Sequence, residues 1–394
     1  MQACLITNAH IISPGIDKRD LTIAIANGKI EALLTSHDTL PDYPVVLDAQ
    51  RATVVPGFID IHTHGAWGHD ICDGNPDSLR AMAKAKLDEG VTTFLPTTLT
   101  LPQEDLIAAF KRATDYFRRQ SYAKTPGFHV EGPFINPDCT GAQNPDYVRH
   151  PDINEIDRLH SILPVKIVSL AVEMPGGLDF VRSLDRRGII PSLAHTAANF
   201  QQFAEAKAAG AKHLTHFCNQ MTRLHHREIG LVGAGLLDDQ MMTEIICDNV
   251  HLCPEMTQLA LKVIGPERLM LITDSIAASG LAGNQTTTLG GLDIIVQAGV
   301  ARLRSGALAG STLKMNVALR NLGELSSLPL SELVRTTSLN QALSLGLDGL
   351  GKIEPDYWAD LVVLNNDYSP RAVFVNGIKR SSAQNQESAN PTID

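Results

Sequence analysis

Residues 54–64, VVPGFIDIHTH, form an apolar segment of strand length that ends in two histidines. Similar segments recur along the chain: VTTFLPT (91–97), GFHVEGPF (127–134), VKIVSLAVE (165–173), RGIIPSLAHT (187–196), AKHLTHFC (211–218), MMTEIICD (241–248) and RLMLITDS (268–275). Stretches with helical spacing lie between them, such as DSLRAMAKAKLDEG (77–90) and NFQQFAEAKAAG (199–210), where Gly210 is a predicted helix end. Apolar strands alternating with helices indicate a parallel sheet buried on both faces.

The number of these segments decides between two α/β architectures. Eight strands before residue 276 predict a TIM-like (β/α)8 barrel, whose chemistry lies at the C-terminal ends of the strands. A doubly wound open sheet is the alternative. The absence of a G-x-G-x-x-G motif after any strand makes that alternative weaker.

Both ends of the chain contain predicted short β-strands, in ACLITNAHIIS (3–13), LTIAIANGKIEALL (21–34) and ADLVVLNNDYSPRAVFVNGIKR (359–380). The dipeptides Asn27-Gly28 and Asn376-Gly377 are typical of hairpin turns. We therefore expect residues 1–53 and 355–380 to form one small β-sandwich domain. Residues 54–354 are expected to form the barrel, with a β-rich insertion near 281–306, and the polar residues 381–394 a disordered tail.

Composition excludes several functional classes. The 33 Lys and Arg and 43 Asp and Glu of the 394 residues give a net charge of −10, which disfavours binding to nucleic acid or an anionic membrane. The N-terminus lacks the pattern of a signal peptide, and no apolar run approaches a membrane span. Six cysteines without a C-x-x-C pair are typical of reduced thiols. We expect a cytoplasmic protein.

Four histidines and one glutamate end predicted strands. His62 and His64 are two residues apart on one strand, so both imidazoles point to the same side. Glu131 ends an apolar segment without a basic neighbour, and His195 and His216 end two further strands. Each alone could be a packed or ion-paired residue. Together they predict a site for one or two divalent ions, zinc first, with iron, manganese, cobalt and nickel as the other candidates.

Three other residues near these strand ends need a role. Asp274 ends the eighth strand, where it can act as the general acid/base that a hydrolytic metal site requires, or as a helix N-cap. His129 lies one layer deeper than Glu131, and we expect it to support the site or to pack in the barrel. Cys218 is interpreted as a packing residue.

The motifs PGFIDIHTHG, HVEGPF, AHT, THFCNQM, DNVH, ITDS and LAGSTLKM, in this order and spacing, resemble the amidohydrolase superfamily. Within it they are similar to the N-acetylglucosamine-6-phosphate deacetylases, from about residue 50 to 360. H-x-H alone is specific only to the superfamily, whereas HVEGPFINP with THFxNxM and HHRE is more specific to the deacetylases. The resemblance implies deacetylation of N-acetylglucosamine 6-phosphate.

The resemblance also implies roles for individual residues. Glu131, His195 and His216 match the principal metal ligands, His62 and His64 match a pair that holds a second ion in some members, and Asp274 matches the catalytic acid/base. Residues that match sugar and phosphate contacts are Ala142, Gln143, Asn219, Gln220, His226, Arg227, His251, Leu308, Ala309 and Gly310. In the family Arg227 reaches the neighbouring subunit's site, which implies a homodimer.

Four positions depart from the family pattern. Gln143 replaces a common His, Gln220 a common Ala, Asn249 an expected Gly, and Ala194 the usual Gly before His195. Three of them lie around the sugar and phosphate contacts, so they leave open the sugar epimer and the need for phosphate. The alternatives are a deacetylase of a related or unphosphorylated amino sugar, an amidohydrolase of an N-acyl amino acid or cyclic amide, and a non-catalytic barrel. The basic run His225, His226 and Arg227 at the predicted rim favours a phosphorylated substrate.

Overall fold

The computed structural model describes residues 3–382. Its strands, in chain order, are β1 (Cys4–Ser13), β2 (Ile16–Ala26), β3 (Lys29–Leu34), β4 (Val45–Asp48), β5 (Thr53–Pro56), β6 (Phe58–Thr63), β7 (Gly65–Ala66), β8 (His69–Asp70), β9 (Val91–Thr98), β10 (Phe128–Glu131), β11 (Val165–Leu170), β12 (Ile190–Leu193), β13 (His213–Leu214), β14 (Met242–Ile246), β15 (Leu269–Ile272), β16 (Gln285–Leu289), β17 (Leu292–Gln297), β18 (Val300–Leu303), β19 (Leu361–Leu364), β20 (Pro370–Val375) and β21 (Ile378–Ser382).

Eight of these strands form a nearly closed parallel barrel, in the order β6-β9-β10-β11-β12-β13-β14-β15. The last residues of β6 approach the residues that follow β15: Thr63 pairs with Ser275, and the amide of Asp274 donates to the carbonyl of His62 at 2.9 Å. Every residue of β6, β9 and β10 is buried, as expected for strands covered on both faces. The predicted (β/α)8 barrel is confirmed.

The helices follow the barrel strands in the alternation that the sequence predicts. They are α1 (Ser78–Leu87), α2 (Gln103–Arg119), α3 (Ile153–Ile162), α4 (Gly177–Asp185), α5 (Phe200–Ala208), α6 (Gly230–Leu237), α7 (Pro254–Ile264), α8 (Met315–Glu324), α9 (Leu330–Leu333) and α10 (Leu339–Leu345), with 3-10 turns at Pro137–Cys139, Pro145–Tyr147 and Val334–Thr337. No helix among the residues described has the length and apolar character needed to cross a membrane.

Local sequence explains how individual helices begin, end and pack. Asn199 and Gln202 form a capping box at the start of α5, and Gly210, with φ +113°, follows its last turn. On α2 one face is buried, and Phe110 stacks on Phe128 of β10 with 4.2 Å between ring centroids. Burial of a side chain of that size stabilises the fold by about 1.5–3 kcal/mol.

Strands from both chain ends form a second, mostly antiparallel sheet, in the order β21-β20-β19-β5-β1-β2-β3 with β4 beside β1. The predicted turns at Asn27-Gly28 and Asn376-Gly377 connect hairpins, and all four residues have positive φ. Its core is apolar and mostly aliphatic, with Ile6, Ile23 and the aromatic Phe374 fully buried.

The chain forms two compact units. Of the described residues, one unit consists of 3–59, 86–93 and 315–382, and the other of 60–85 and 94–314. Within 281–306, strands β16, β17 and β18 form a separate antiparallel sheet. The predicted domain boundaries at 53/54 and 354/355 stay a prediction. The predicted tail lies outside the described residues, except for Ser381 and Ser382 at the end of β21.

Candidate active site

The strand-end residues singled out in the sequence lie at one end of the barrel. His62 lies on β6 with His64 just after it, Glu131 ends β10, and His195, His216 and Asp274 each follow their strand by two residues. These last three have positive φ, of 47°, 31° and 49°. Such backbone conformations are uncommon for residues with a side chain and concentrate at functional sites.

Glu131 is the point on which the four imidazoles converge. Its Oε1 lies 3.0 Å from Nε2 of His216 and 3.4 Å from Nε2 of both His195 and His62. Its Oε2 lies 3.3 Å from Nε2 of His64. All five residues are at least 95% buried. One oxygen of the carboxylate thus faces three of the histidines, and the other faces the fourth.

Hydrogen bonds on the far side of the rings determine which nitrogen faces Glu131. Nδ1 of His64 donates to the carbonyl of Thr97 at 3.0 Å, and Nδ1 of His195 donates to the carbonyl of Cys139 at 2.7 Å. A carbonyl oxygen can only accept, so each neutral ring keeps its lone pair on Nε2. In the neutral rings, lone pairs of imidazole and carboxylate therefore point at one another, an arrangement that a cation in place of the ring protons would satisfy.

Among the described residues, three groups have ligand atoms close enough to share one ion, and two of these groups contain Glu131: Glu131, His195 and His216, and His62, His64 and Glu131. In support, Nε2 of His62 is buried without a hydrogen-bond partner among the described residues. Nitrogen and oxygen donors without a thiolate suit zinc and similar divalent metals. The residues present therefore fit a divalent ion in either group.

Asp274 lies beside the second group. Its Oδ1 is 3.2 Å from Nε2 of His64 and 3.4 Å from Nε2 of His62. Burial favours the neutral acid, but the charges of His62 and His64 hold the pKa of Asp274 below its usual value. The carboxylate is thus ionised and able to accept a proton.

A cleft of about 220 Å³ is lined by His64, Glu131, His195, His216 and Asp274, whereas His62 lies behind this lining with no exposed surface. Residues that the sequence placed at the substrate and that line this cleft are Ala142, Gln143, Asn219, Gln220, His251, Leu308 and Gly310. Ala309 is fully buried and does not line it, and His226 and Arg227 are exposed on the turn after β13. Arg227 Nη1 donates to Nε2 of His226 at 2.7 Å.

Comparison with known proteins extends over almost the whole chain. The Amidohydrolase family matches residues 53–379. The chain belongs to the amidohydrolase family.

Relatives of this amidohydrolase are named as deacetylases of amino sugar phosphates. It is 37% identical to the N-acetylgalactosamine-6-phosphate deacetylase of Escherichia coli O157:H7, covering 91% of this chain and 94% of that protein. It is 33% identical to the N-acetylglucosamine-6-phosphate deacetylase of Bacillus subtilis strain 168, covering 93% and 94%. The family predicted from the motifs is confirmed.

Solved structures of the same kind share the fold. The N-acetylglucosamine-6-phosphate deacetylase of Thermotoga maritima is 34% identical, with a TM-score of 0.88 over 96% of this chain and all of that one. A mutant of the Mycobacterium smegmatis enzyme in complex with N-acetyl-D-glucosamine-6-phosphate is 31% identical, with a TM-score of 0.90 over 97% of this chain and all of that one.

Gln143 has a position in the amidohydrolase that the sequence did not predict. Its Nε2 donates to Oε2 of Glu131 at 2.5 Å, and its Oε1 accepts from the amide of Thr100 at 2.7 Å. Both ends of the side-chain amide are therefore engaged within the protein. Gln143 contacts a metal-site carboxylate as well as lining the cleft.

Two expectations about supporting residues agree with the structure. His129 is buried, its Nδ1 donates to the carbonyl of Ile61 at 2.9 Å, and Ser169 Oγ lies 2.7 Å from its Nε2. Burial lowers the pKa of His129 to about 3, so the ring is neutral and accepts from Ser169. Burial raises the pKa of the Cys218 thiol to about 12, so it stays protonated, as a packing residue would.

Sequence reasoning missed several contributors. Gly141, Leu289 and Ala307 line the cleft, and Leu289 comes from the inserted sheet. Glu244, on β14, is fully buried with Oε2 3.2 Å from Nδ1 of His62. The sequence did carry a signal for Glu244, because a carboxylate in the middle of the apolar segment MMTEIICD is costly to bury without a partner.

Proposed function

We propose that this amidohydrolase removes the acetyl group of N-acetylglucosamine 6-phosphate, giving glucosamine 6-phosphate and acetate. The observation that carries the proposal is the convergence of four imidazoles on Glu131 with Asp274 beside them. Three of these imidazoles line one cleft together with both carboxylates. The names of relatives that align over more than 90% of the chain supply the substrate class.

In the proposed site Glu131, His195 and His216 hold one divalent ion, and His62 and His64 share Glu131 to hold a second. Zinc is the first candidate, because the donors are nitrogen and oxygen at strand ends. When bound, such an ion lowers the pKa of water and polarises the amide carbonyl.

Asp274 performs the proton transfer in this proposal. Its carboxylate accepts a proton from the water that adds to the amide carbon. It then donates that proton to the amide nitrogen as the carbon–nitrogen bond breaks, so the amine and acetate leave and the carboxylate is regenerated. The residues lining the cleft above it, among them Asn219, Gln220 and His251, are proposed to hold the sugar.

A phosphate-binding role is proposed for Arg227 and His226. Both are exposed and outside the cleft of their own chain, so a role at the substrate requires a second subunit. We propose a homodimer in which Arg227 reaches the neighbouring active site, where its guanidinium pairs with the phosphate through two hydrogen bonds.

Arg227→Ala should raise KM for the 6-phosphorylated sugar about 10- to 100-fold, because a charge-assisted hydrogen bond contributes roughly 1.5–3 kcal/mol. The unphosphorylated sugar should be hydrolysed as before. Arg227→Lys is the matched control that keeps the charge and loses the paired geometry. Equal losses with both sugars would make Arg227 a structural residue.

Subunit mixing tests the shared site directly. Arg227→Ala and Asp274→Asn chains, each impaired alone, should regain activity when unfolded and refolded together, because one site of the mixed dimer then has both intact residues. Sedimentation should give a dimer. A monomer, or a mixture no more active than its parts, would contradict the proposal.

N-acetylgalactosamine 6-phosphate is the second candidate substrate, since an E. coli relative named for it is 37% identical. The decisive experiment compares kcat/KM for both epimers, each with and without the 6-phosphate, by acetate release. Preference for the galacto epimer would reassign the sugar. Preference for a neutral sugar would overturn the phosphate assignment, and no acetate from any of them would favour another amide or a non-catalytic barrel.

Metal analysis of the purified protein tests the identity of the ions, with zinc expected first. Fluorescence microscopy of the tagged full chain tests the proposed cytoplasmic location.

A further inference from the structure

Glu244 is a carboxylate in the barrel interior whose purpose the proposed chemistry leaves unexplained. It lies on β14, the seventh barrel strand, and has no exposed surface. Burying a carboxylate costs several kcal/mol unless partners compensate it. Its Oε2 lies 3.2 Å from Nδ1 of His62, and its Oε1 lies 3.9 Å from Nδ1 of His213.

In the hydrogen bond between Glu244 and His62, the imidazole must be the donor. An ionised carboxylate accepts and cannot donate, so Nδ1 of His62 carries the hydrogen. In the neutral ring that binds a metal, the lone pair is then on Nε2, the nitrogen that lies 3.4 Å from Oε1 of Glu131 and 3.4 Å from Oδ1 of Asp274. Glu244 thereby orients His62 as a ligand toward the ion site.

The other histidines are oriented differently. His64 and His195 donate from Nδ1 to backbone carbonyls, those of Thr97 and Cys139. Among these three rings, His62 is the one whose outer partner is a carboxylate. A carboxylate partner raises the basicity of a metal-binding imidazole, and removing such partners typically weakens metal affinity 10- to 100-fold.

A deeper metal site is a competing explanation, because His62, His129 and Glu244 also have ligand atoms close together. Both nitrogens of His129 are engaged, with Ile61 at 2.9 Å and Ser169 at 2.7 Å. The carboxylate of Glu244 contacts Nδ1 of His62, whereas Nε2 of the same ring faces Glu131. This group is therefore a hydrogen-bonded support.

We propose that Glu244 is a positioning residue that sets the affinity for the second divalent ion, the one held by His62, His64 and Glu131. The ion held by Glu131, His195 and His216 should be almost independent of it. The proposal rests on the metal site of the proposed function. It extends that function, because binding of the second ion then depends on a residue of the seventh barrel strand.

The test is a Zn²⁺ titration of the chelator-stripped full chain, followed by calorimetry. Wild type should bind two ions per chain. Glu244→Gln should bind the first ion within about threefold of wild-type affinity and the second about 10- to 100-fold more weakly. Glu244→Leu removes the acceptor altogether and should weaken the second ion at least as much.

Glu155→Gln is the matched control, since Glu155 is also buried but its carboxylate pairs with Arg149 on the outside of the barrel. It should bind both ions normally. Thermal unfolding of the stripped proteins checks folding. If Glu244→Leu does not fold, the folded Glu244→Gln decides.

Three results would overturn the proposal: two ions bound normally by Glu244→Gln, equal weakening of both ions, or a single ion in the wild type. Failure of the proposed function is separable from these. A wild type that binds two ions and releases no acetate from amino sugars would refute the substrate and leave the role of Glu244 intact.

Discussion

Asp274 shows how a single residue acquires a chemical role from its place at a strand end. It follows β15 in a left-handed backbone conformation, and its carboxylate lies 3.2 Å from His64 and 3.4 Å from His62. As an N-cap, the alternative interpretation of the sequence, it would face backbone amides instead. Its side chain faces the imidazoles, which favours the proton-transfer role.

Asp274→Asn should reduce kcat by about 100-fold or more, because the amide has the same shape and cannot accept the proton. Metal content and substrate affinity should change little. Steady-state kinetics and metal analysis measure both. Asp157→Asn, an exposed residue paired with Arg187, is the control and should behave like wild type. Near-normal turnover by Asp274→Asn would move the base to another group.

The segment 307–311, between β18 and α8, shows how an element without regular structure holds the site. The amide of Ser311 donates to the carbonyl of Asp274 at 2.8 Å, and the amide of Ile276 donates to the carbonyl of Ser311 at 3.0 Å. Gly310 has φ +53°, and a Cβ there would lie 2.9 Å from the carbonyl oxygen of Asp274 and 2.6 Å from Cγ2 of Ile276. The segment fits against Asp274 only with glycine.

Gly310→Ala should therefore lower kcat at least about tenfold, because displacement of a catalytic group by 1 Å can cost 100-fold. It should also destabilise the protein by more than the roughly 1–2 kcal/mol of a left-handed alanine. Gly306→Ala is the control, since Gly306 has φ +92° with open space around it. Kinetics and thermal unfolding measure both. Equal effects of the two substitutions would mean that backbone conformation alone matters.

Stability of the whole molecule should depend on the ionisation of the metal site. Burial disfavours the charged ring, but Asp274 and Glu131 outweigh it and raise the pKa of His64 to about 9. A raised pKa in the folded state stabilises the metal-free protein fully below the unfolded value of about 6.5. That contribution is lost as pH rises toward 9.

The metal-free protein should consequently lose up to about 3 kcal/mol of unfolding free energy between pH 6.5 and 9, as measured by urea denaturation. Zn²⁺ affinity should rise over the same range, because the ion has to displace a proton. His64→Gln should flatten both dependences. Metal-free stability that is constant or increases with pH in the wild type would contradict the expectation.

The sequence by itself determined the barrel and the strand-end residues. Apolar segments alternating with helices specify parallel strands, and parallel strands in a barrel bring their C-terminal ends to one rim. Glu131, His195 and His216 therefore converge although they are far apart in the chain. The alternation of strand and helix segments is sufficient to predict this convergence, because it shows which residues come at the C-terminal end of each strand.

Only the tertiary structure decided which side chains touch across that rim and below it. Glu244 contacts His62, which is 182 positions away in the sequence. Gln143 donates to Glu131, and Arg227 is exposed outside the cleft. These contacts depend on strand stagger and on loop conformations. Packing determines both. The order of apolar and polar residues along one strand gives no information about how far the neighbouring strands are shifted relative to it along the barrel.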